Sequence, residues 1–202
     1  MTLERSRVSA SGALGDNDGN LFHLRVVDSS IFGSNRFDLG LFSLVEFVRS
    51  EVVGDLYGVR YGDIHSTGSH IKGRVTVDGP RLDFSDTAVE GSISIVYGGG
   101  TFDRLQLLGD IYLGGGDVHI TLRRSYISSL INFDPCTGAG CITAQLEQTF
   151  VGGAQEIETR AGSMLQASSS VLAGGVNGRA SCTDTYGADY ELLSALCQPH
   201  PP

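Results

Sequence analysis

The sequence predicts an all-β fold, a right-handed parallel β-helix of about eight or nine coils with a short C-terminal helical cap, on three observations. A five-residue corner block recurs along the chain. Apolar residues stand at fixed distances before each copy, and alternation resumes after it. The block is Ser, Thr or Asp, any residue, an apolar residue, any residue, then Gly or Ser. It appears as "SSIFG" at Ser29, "SEVVG" at Ser50, "SHIKG" at Ser69, "TAVEG" at Thr87, "DIYLG" at Asp110, "SYISS" at Ser125, "TFVGG" at Thr149 and "SVLAG" at Ser170, with "SGALG" at Ser11 as an earlier copy. Successive starts lie 18, 21, 19, 18, 23, 15, 24 and 21 residues apart. A period near 20 is the length of one supersecondary coil, too short for a domain.

Each coil offers three short strands. Three residues before the blocks stand Val26, Phe47, Ser66, Phe84, Leu107, Leu122, Leu146 and Ala167; five before stand Leu24, Val45, Ile64, Leu82, Leu105, Ile120, Ala144 and Leu165. Strand side chains alternate faces, so Leu24, Val26 and Ile31 can all point inward only if the chain bends between Val26 and Ser29. After the Gly, alternation returns at Val75 and Val77, Ile93 and Ile95, Ile131 and Phe133. Stacking the coils pairs each strand in parallel with its copy, and such crossovers are right-handed. The variable spacing excludes the strict six-residue period of left-handed solenoids. The Ser/Thr column then forms an internal hydroxyl ladder, which Asp110 interrupts either as a carboxylate binding corner amides or as a buried functional group.

The coils, as in "LDFSDTAVEG" and "ITLRRSYISS", follow φ-x-φ-x-x-[ST]-x-φ-x-G from about Ser6 to Gly178 and resemble the parallel β-helices of pectate-lyase-like proteins and of filamentous-haemagglutinin-type adhesins. The resemblance is architectural. It implies a rigid rod and carries no catalytic residues across, since one fold hosts many functions. The polygalacturonase-type signatures "NTD", "GHG" and "RIK" are absent.

Composition narrows the partners. The 202 residues carry a net charge of −9, and Lys72 is the only lysine, so no basic surface exists for nucleic acid. No apolar run approaches a membrane span, and the N-terminus lacks the apolar centre of a secretory signal. Four cysteines permit three pairings; loop closure favours Cys136 with Cys141 and Cys182 with Cys197, free thiols or a metal site being the alternatives. CxxxxC without a nearby His matches zinc spacing poorly, so no metal and no cofactor is expected. Disulfides imply an extracellular or cell-surface location, with the chain a mature segment or fragment. The repeat covers 1–178. Residues 179–202 form a cap segment, in which Tyr190, Leu193 and Leu196 suggest a short amphipathic helix ending before Pro199.

Two outward columns are candidate sites. The column after the corner runs Ser30, Glu51, His70, Ala88, Ile111, Tyr126, Phe150, Val171 and turns apolar, which marks Ile111, Tyr126 and Phe150 as a binding stripe unless the C-terminal segment or a loop covers it. The column after the Gly runs Arg36, Tyr57, Thr76, Ser94, Asp117, Asn132, Glu156, Asn177, flanked by Asp55 and Arg74. It reads as a solvated face or as a saccharide groove. In the second case Asp117 and Glu156, two coils apart, would serve as acid and base, or Arg74 or Arg123 as a lyase base. No nucleophile elbow, phosphate loop or HExxH motif occurs. The sequence therefore favours a non-enzymatic extracellular solenoid, structural, adhesive or polysaccharide- or surface-binding. A polysaccharide hydrolase or lyase on the polar face is the alternative.

Overall fold

A computed structural model describes residues 1–10, 23–39, 44–59, 62–79, 81–135, 141–155, 157–160 and 162–198. It is a parallel β-solenoid of about eight turns. The strands stack into three sheets. The first contains His23–Val27, Leu44–Val48, Asp63–Thr67, Arg81–Ser85, Thr143–Glu147, Met164–Ser168 and Ala180–Thr183, together with the C-terminal halves of the long strands Ile93–Asp103 and Ile111–Arg123. The second holds the short strands after the corner, such as His70–Lys72, Ala88–Val89, Gln106–Leu107, Tyr126–Ile127 and Phe150–Val151. The third begins after the Gly, with Val75–Asp78 registered on the first halves of the long strands and these on Ile131–Phe133.

The apolar columns fill the space between the sheets. Leu24, Val45, Ile64 and Leu82 stack in the first sheet, Ile31, Val52, Ile71, Val89, Leu107 and Ile127 in the second, and Val75, Ile93, Ile111 and Ile131 in the third, all buried. Phe84 and Phe102 meet edge to face, ring centres 5.7 Å apart.

The corner is made by a left-handed residue followed by a hydroxyl. Arg5, Asp28, Arg49, Asp86, Arg104, Arg124, Gln148, Ser169 and Asp184 all have φ between 46° and 54°, and Gly68 has φ 60°. A non-glycine residue there is strained, so the bend must be held by bonds around it. At every described corner except that at Leu105, the hydroxyl of the next residue supplies them. The Ser50 hydroxyl donates to the Val48 carbonyl at 2.8 Å and accepts the Ser29 N–H at 3.2 Å, while Ser69 repeats both bonds one coil further on. One hydroxyl thus closes its own turn and ties it to the previous coil. Along this column the side chains of the left-handed residues also pair, Arg49 holding both oxygens of Asp28 at 2.7 and 2.8 Å and Arg104 gripping Asp86.

The corner of the sixth described coil lies at Leu105, not at Asp110. Arg104 takes the left-handed position, and the Leu105 N–H donates to the Ser125 hydroxyl at 3.1 Å. Replacing Asp110 by Leu105 changes the neighbouring spacings from 23 and 15 residues to 18 and 20. Gly109 then falls in line with Gly54, Gly73 and Gly91, four residues after each corner. The inward pair of that coil in the first sheet is accordingly Gly100 and Phe102, with Leu105 and Leu107 continuing around the bend. At the N-terminus the first described corner is at Ser6, since Val8 pairs with Ile31; the copy expected at Ser11 lies outside the described residues.

The C-terminal segment is not helical. Tyr190 and Cys197 have φ of 58° and 61°, Tyr186 bridges Leu192 in antiparallel fashion, and turns fill the remainder. Of the three residues expected on one helical face, only Leu193 is buried. The expected Cys182–Cys197 disulfide is present. Cys182 stacks above Ala167 in the last strand of the first sheet, and Cys197 is fully buried. The bond, with Leu193 N–H donating to the Thr185 carbonyl and Cys182 N–H to that of Ala195, folds the segment over the end of the core. Cys136 lies outside the described residues, and with it the expected bond to Cys141.

Candidate functional site

Backbone register places the outward column of the second sheet as Ser30, Glu51, His70, Ala88, Gln106, Tyr126, Phe150, Val171. Ile111, expected among them, is buried and pairs with Ile93 and Ile131 in the third sheet. The misplaced corner is the reason, because a start five residues late inverts the facing of the residues that directly follow it, Ile111 to Leu113, until the bulge restores the register.

The face divides along its length. In its first half the groups are ionic: Lys72 meets Glu51 at 2.8 Å, His70 meets Glu90 at 2.7 Å, and the Arg7 guanidinium lies 4.7 Å from the centre of the Phe32 ring. The hydrogen bond from Lys72, and then its charge, hold the Glu51 carboxyl below its usual range. In its second half the face is apolar. The Tyr126 and Phe150 rings stack with centres 5.2 Å apart and planes 5° from parallel. Gly152 makes room for this arrangement: a Cβ there would stand 2.8 Å from the edge of the Phe150 ring. Val171 follows in register, and Tyr186 bridges to it. Tyr126 is 45% exposed and Tyr186 39%, while Phe150 and Val171 between them are half-buried, so the C-terminal segment closes the end of the core without covering Tyr126. Leu108, 62% exposed, lies one coil before Ser128 on the same side.

The alternative catalytic residues do not converge. Asp117 sits in the bulge where the register of the two long strands shifts, at φ 51°, with its carboxylate 3.3 Å from His119. The column position expected for it belongs to Tyr112, in line with Thr76, Ser94 and Asn132. Glu156 lies outside the described residues; Glu158 is the residue registered on Asn177. Arg74 is turned to Asp55, with its N–H on the carboxylate at 2.7 Å and its guanidinium 3.7 Å away, and Arg123 meets Glu147 at 3.1 Å.

Asp110 is partly exposed and bridges coils. It accepts the Leu130 N–H at 3.0 Å and the Tyr112 hydroxyl at 2.8 Å. Partial burial opposes its ionisation, but the hydrogen bonds from Ser129, Leu130 and Tyr112 outweigh it and hold the carboxyl below its ordinary range. Asp110 thus binds a backbone amide, that of Leu130, but not at a corner, as the hydroxyl-column reading had it. Among the described residues no group of three or more His, Cys, Asp or Glu is placed to hold a metal ion, and no helix is long and apolar enough to cross a membrane.

Sequence reasoning missed Gln106, Tyr186 and a concavity on the third sheet. Tyr186 belongs to the stripe through a single isolated bridge, which no repeat signals. No family model, no curated protein and no solved structure matches this chain.

Proposed function

We propose that the chain is a non-enzymatic β-solenoid that binds an extended partner, a polysaccharide or a cell surface, through the outward stripe Tyr126, Phe150, Val171 and Tyr186. The carrying observation is the Tyr126–Phe150 stack, an exposed ring laid flat against a half-buried one, on a sheet held rigid on both sides by neighbouring coils. Exposed apolar rows of this kind cost solubility without contributing to the core, and on soluble proteins they mark contact surfaces. Aromatic side chains held in place lose little conformational entropy on binding, so a short row of them is an efficient anchor. The dispersal of Asp117, Arg74 and Arg123 among separate ion pairs supports a binding role over catalysis by those residues. The Cys182–Cys197 bond supports an oxidising, extracellular setting. Incubation with a panel of insoluble polysaccharides, following both retained protein and released reducing or unsaturated ends, tests this reading. Retention without release is the expected result; release of sugar ends contradicts it.

A further inference from the structure

The third sheet carries a concavity of about 650 Å³ on its outward side, away from the stripe, within the size range of ligand sites. Its lining combines Tyr112, Asn132, Asp134, Gln155, Glu158 and Arg160. Tyr112 and Asn132 are register partners, so they stand one coil apart, roughly 4.8 Å. The Tyr112 ring is 44% exposed, yet it is fixed, because its hydroxyl donates to Asp110 and Asp110 is anchored by the Leu130 N–H. The Asp134 carboxylate lies over Gly114, where a Cβ would fall 2.7 Å from Oδ2.

The polar side chains here have no bonds among themselves. Elsewhere on the solenoid Arg49, Lys72, Arg104, Arg123 and Arg124 each meet a carboxylate of a neighbouring coil. In the concavity the side chains of Asn132, Asp134, Gln155, Glu158 and Arg160 make no hydrogen bond or ion pair with any described residue. Two amides, two carboxylates and a guanidinium therefore offer planar hydrogen-bonding groups beside a tethered aromatic ring. That combination fits a pyranose, whose C–H face covers an aromatic ring while its rim of hydroxyls takes in-plane bonds from amide, carboxylate and guanidinium groups. The charge selects further. Two carboxylates against one guanidinium, on a chain of net charge −9, disfavour an acidic sugar.

We propose that this concavity binds a neutral saccharide, with one pyranose ring seated on Tyr112 and its hydroxyls held by Asn132, Glu158 and Arg160. The site is separate from the stripe and independent of it. The test is affinity electrophoresis of the full chain through soluble neutral β-glucan, mannan or arabinoxylan, with polygalacturonate as the acidic comparison. At least one neutral polymer should retard the protein and polygalacturonate should not. Tyr112→Ala combined with Arg160→Ala should weaken that retardation at least tenfold with the melting temperature held within a few degrees, while Tyr112→Phe, which keeps the ring, should retain most of it. Tyr126→Ser with Phe150→Ser should leave it intact. Retardation by no neutral polymer, equal retardation of the Tyr112→Ala, Arg160→Ala protein, or preference for polygalacturonate overturns the proposal. Release of reducing ends that Glu158→Gln abolishes would uphold the site and overturn the non-enzymatic reading above.

Discussion

A Cβ on Gly109 would stand 2.6 Å from the carbonyl oxygen of Gly91, one coil away. Gly91 has the same relation to the Gly73 carbonyl, and Gly73 to that of Gly54, each closer still. Gly73, Gly91 and Gly109 do not have left-handed backbones. Their requirement is for space: the coils approach so closely after the second sheet that only hydrogen fits. Gly91→Ala should therefore cost about 1–3 kcal/mol or more through forced backbone movement, whereas Ser94→Ala on the outward side should cost little. Chemical denaturation of the two variants checks this, and equal small losses would contradict the stacking.

The core gives a second contrast. Phe84 and Leu122 face inward and are buried. Phe84→Ala should cost about 3–5 kcal/mol and Leu122→Ala about 2–5 kcal/mol by leaving cavities, while Thr76→Ala, on the outward column, should stay within about 0.5 kcal/mol. Similar losses at all three sites would mean that the facing of these strands is wrong.

Acid should loosen the corners. The hydrogen bond from Arg49 holds the Asp28 carboxyl below its usual range, that from Arg104 does the same for Asp86, and Lys72 does so for Glu51. A carboxyl whose folded pKa is depressed stabilises the fold above its unfolded pKa, and that contribution is lost as pH falls through the folded value. Thermal unfolding should thus be insensitive to these groups above about pH 5 and should fall below about pH 4. Asp28→Asn with Asp86→Asn should flatten that acid slope, and so should added salt, since the pairs are exposed. An unchanged slope in the double variant would remove the corner ion pairs from the account.

Much of this solenoid is legible in the sequence because the same corner recurs with the same chemistry. Ser29, Ser50, Ser69 and Thr87 each mark a bend, and their spacing carries the register of both flanking strands. Legibility failed where the chemistry changed. Leu105 fills a hydroxyl position with an apolar side chain, and "DIYLG" five residues later imitates the block. One substitution thereby moved Ile111 to the outside and Asp117 into a column held by Tyr112. The charged residues that recur just before the corner, Asp28, Arg49, Asp86, Arg104 and Arg124, interrupted only by Gly68, are the signal that places it. The cap misled for a different reason. Its three-residue apolar spacing is genuine, but the disulfide and the Tyr186–Leu192 bridge set its path, and local propensity loses to such constraints.

The cap should depend on its crosslink. Cys182 and Cys197 are 15 residues apart, and closing a loop of that length contributes about 3 kcal/mol in a chain-entropy account. In Cys182→Ala with Cys197→Ala, the amide of Leu193 should exchange with solvent much faster than in the wild type while those of Ile71 and Val89 keep their protection. Unaltered exchange at Leu193 would show that the segment is held without the bond.

The most direct test of the stripe compares two proteins that both carry Tyr112→Ala and Arg160→Ala, so that the third-sheet concavity contributes nothing: retention on whichever polysaccharide or cell surface holds the first is measured again after Tyr126→Ser and Phe150→Ser are added, beside thermal unfolding. The ring stack contributes about 0.5–1.5 kcal/mol beyond the area it buries, and with Tyr126 exposed and Phe150 only half-buried its loss should lower the melting temperature by several degrees without unfolding the chain. Binding should be lost and the fold should survive. Binding that persists after the two stripe substitutions, with the fold intact, would contradict a binding role for the stripe, and so would a variant that unfolds outright, because the stripe would then belong to the core.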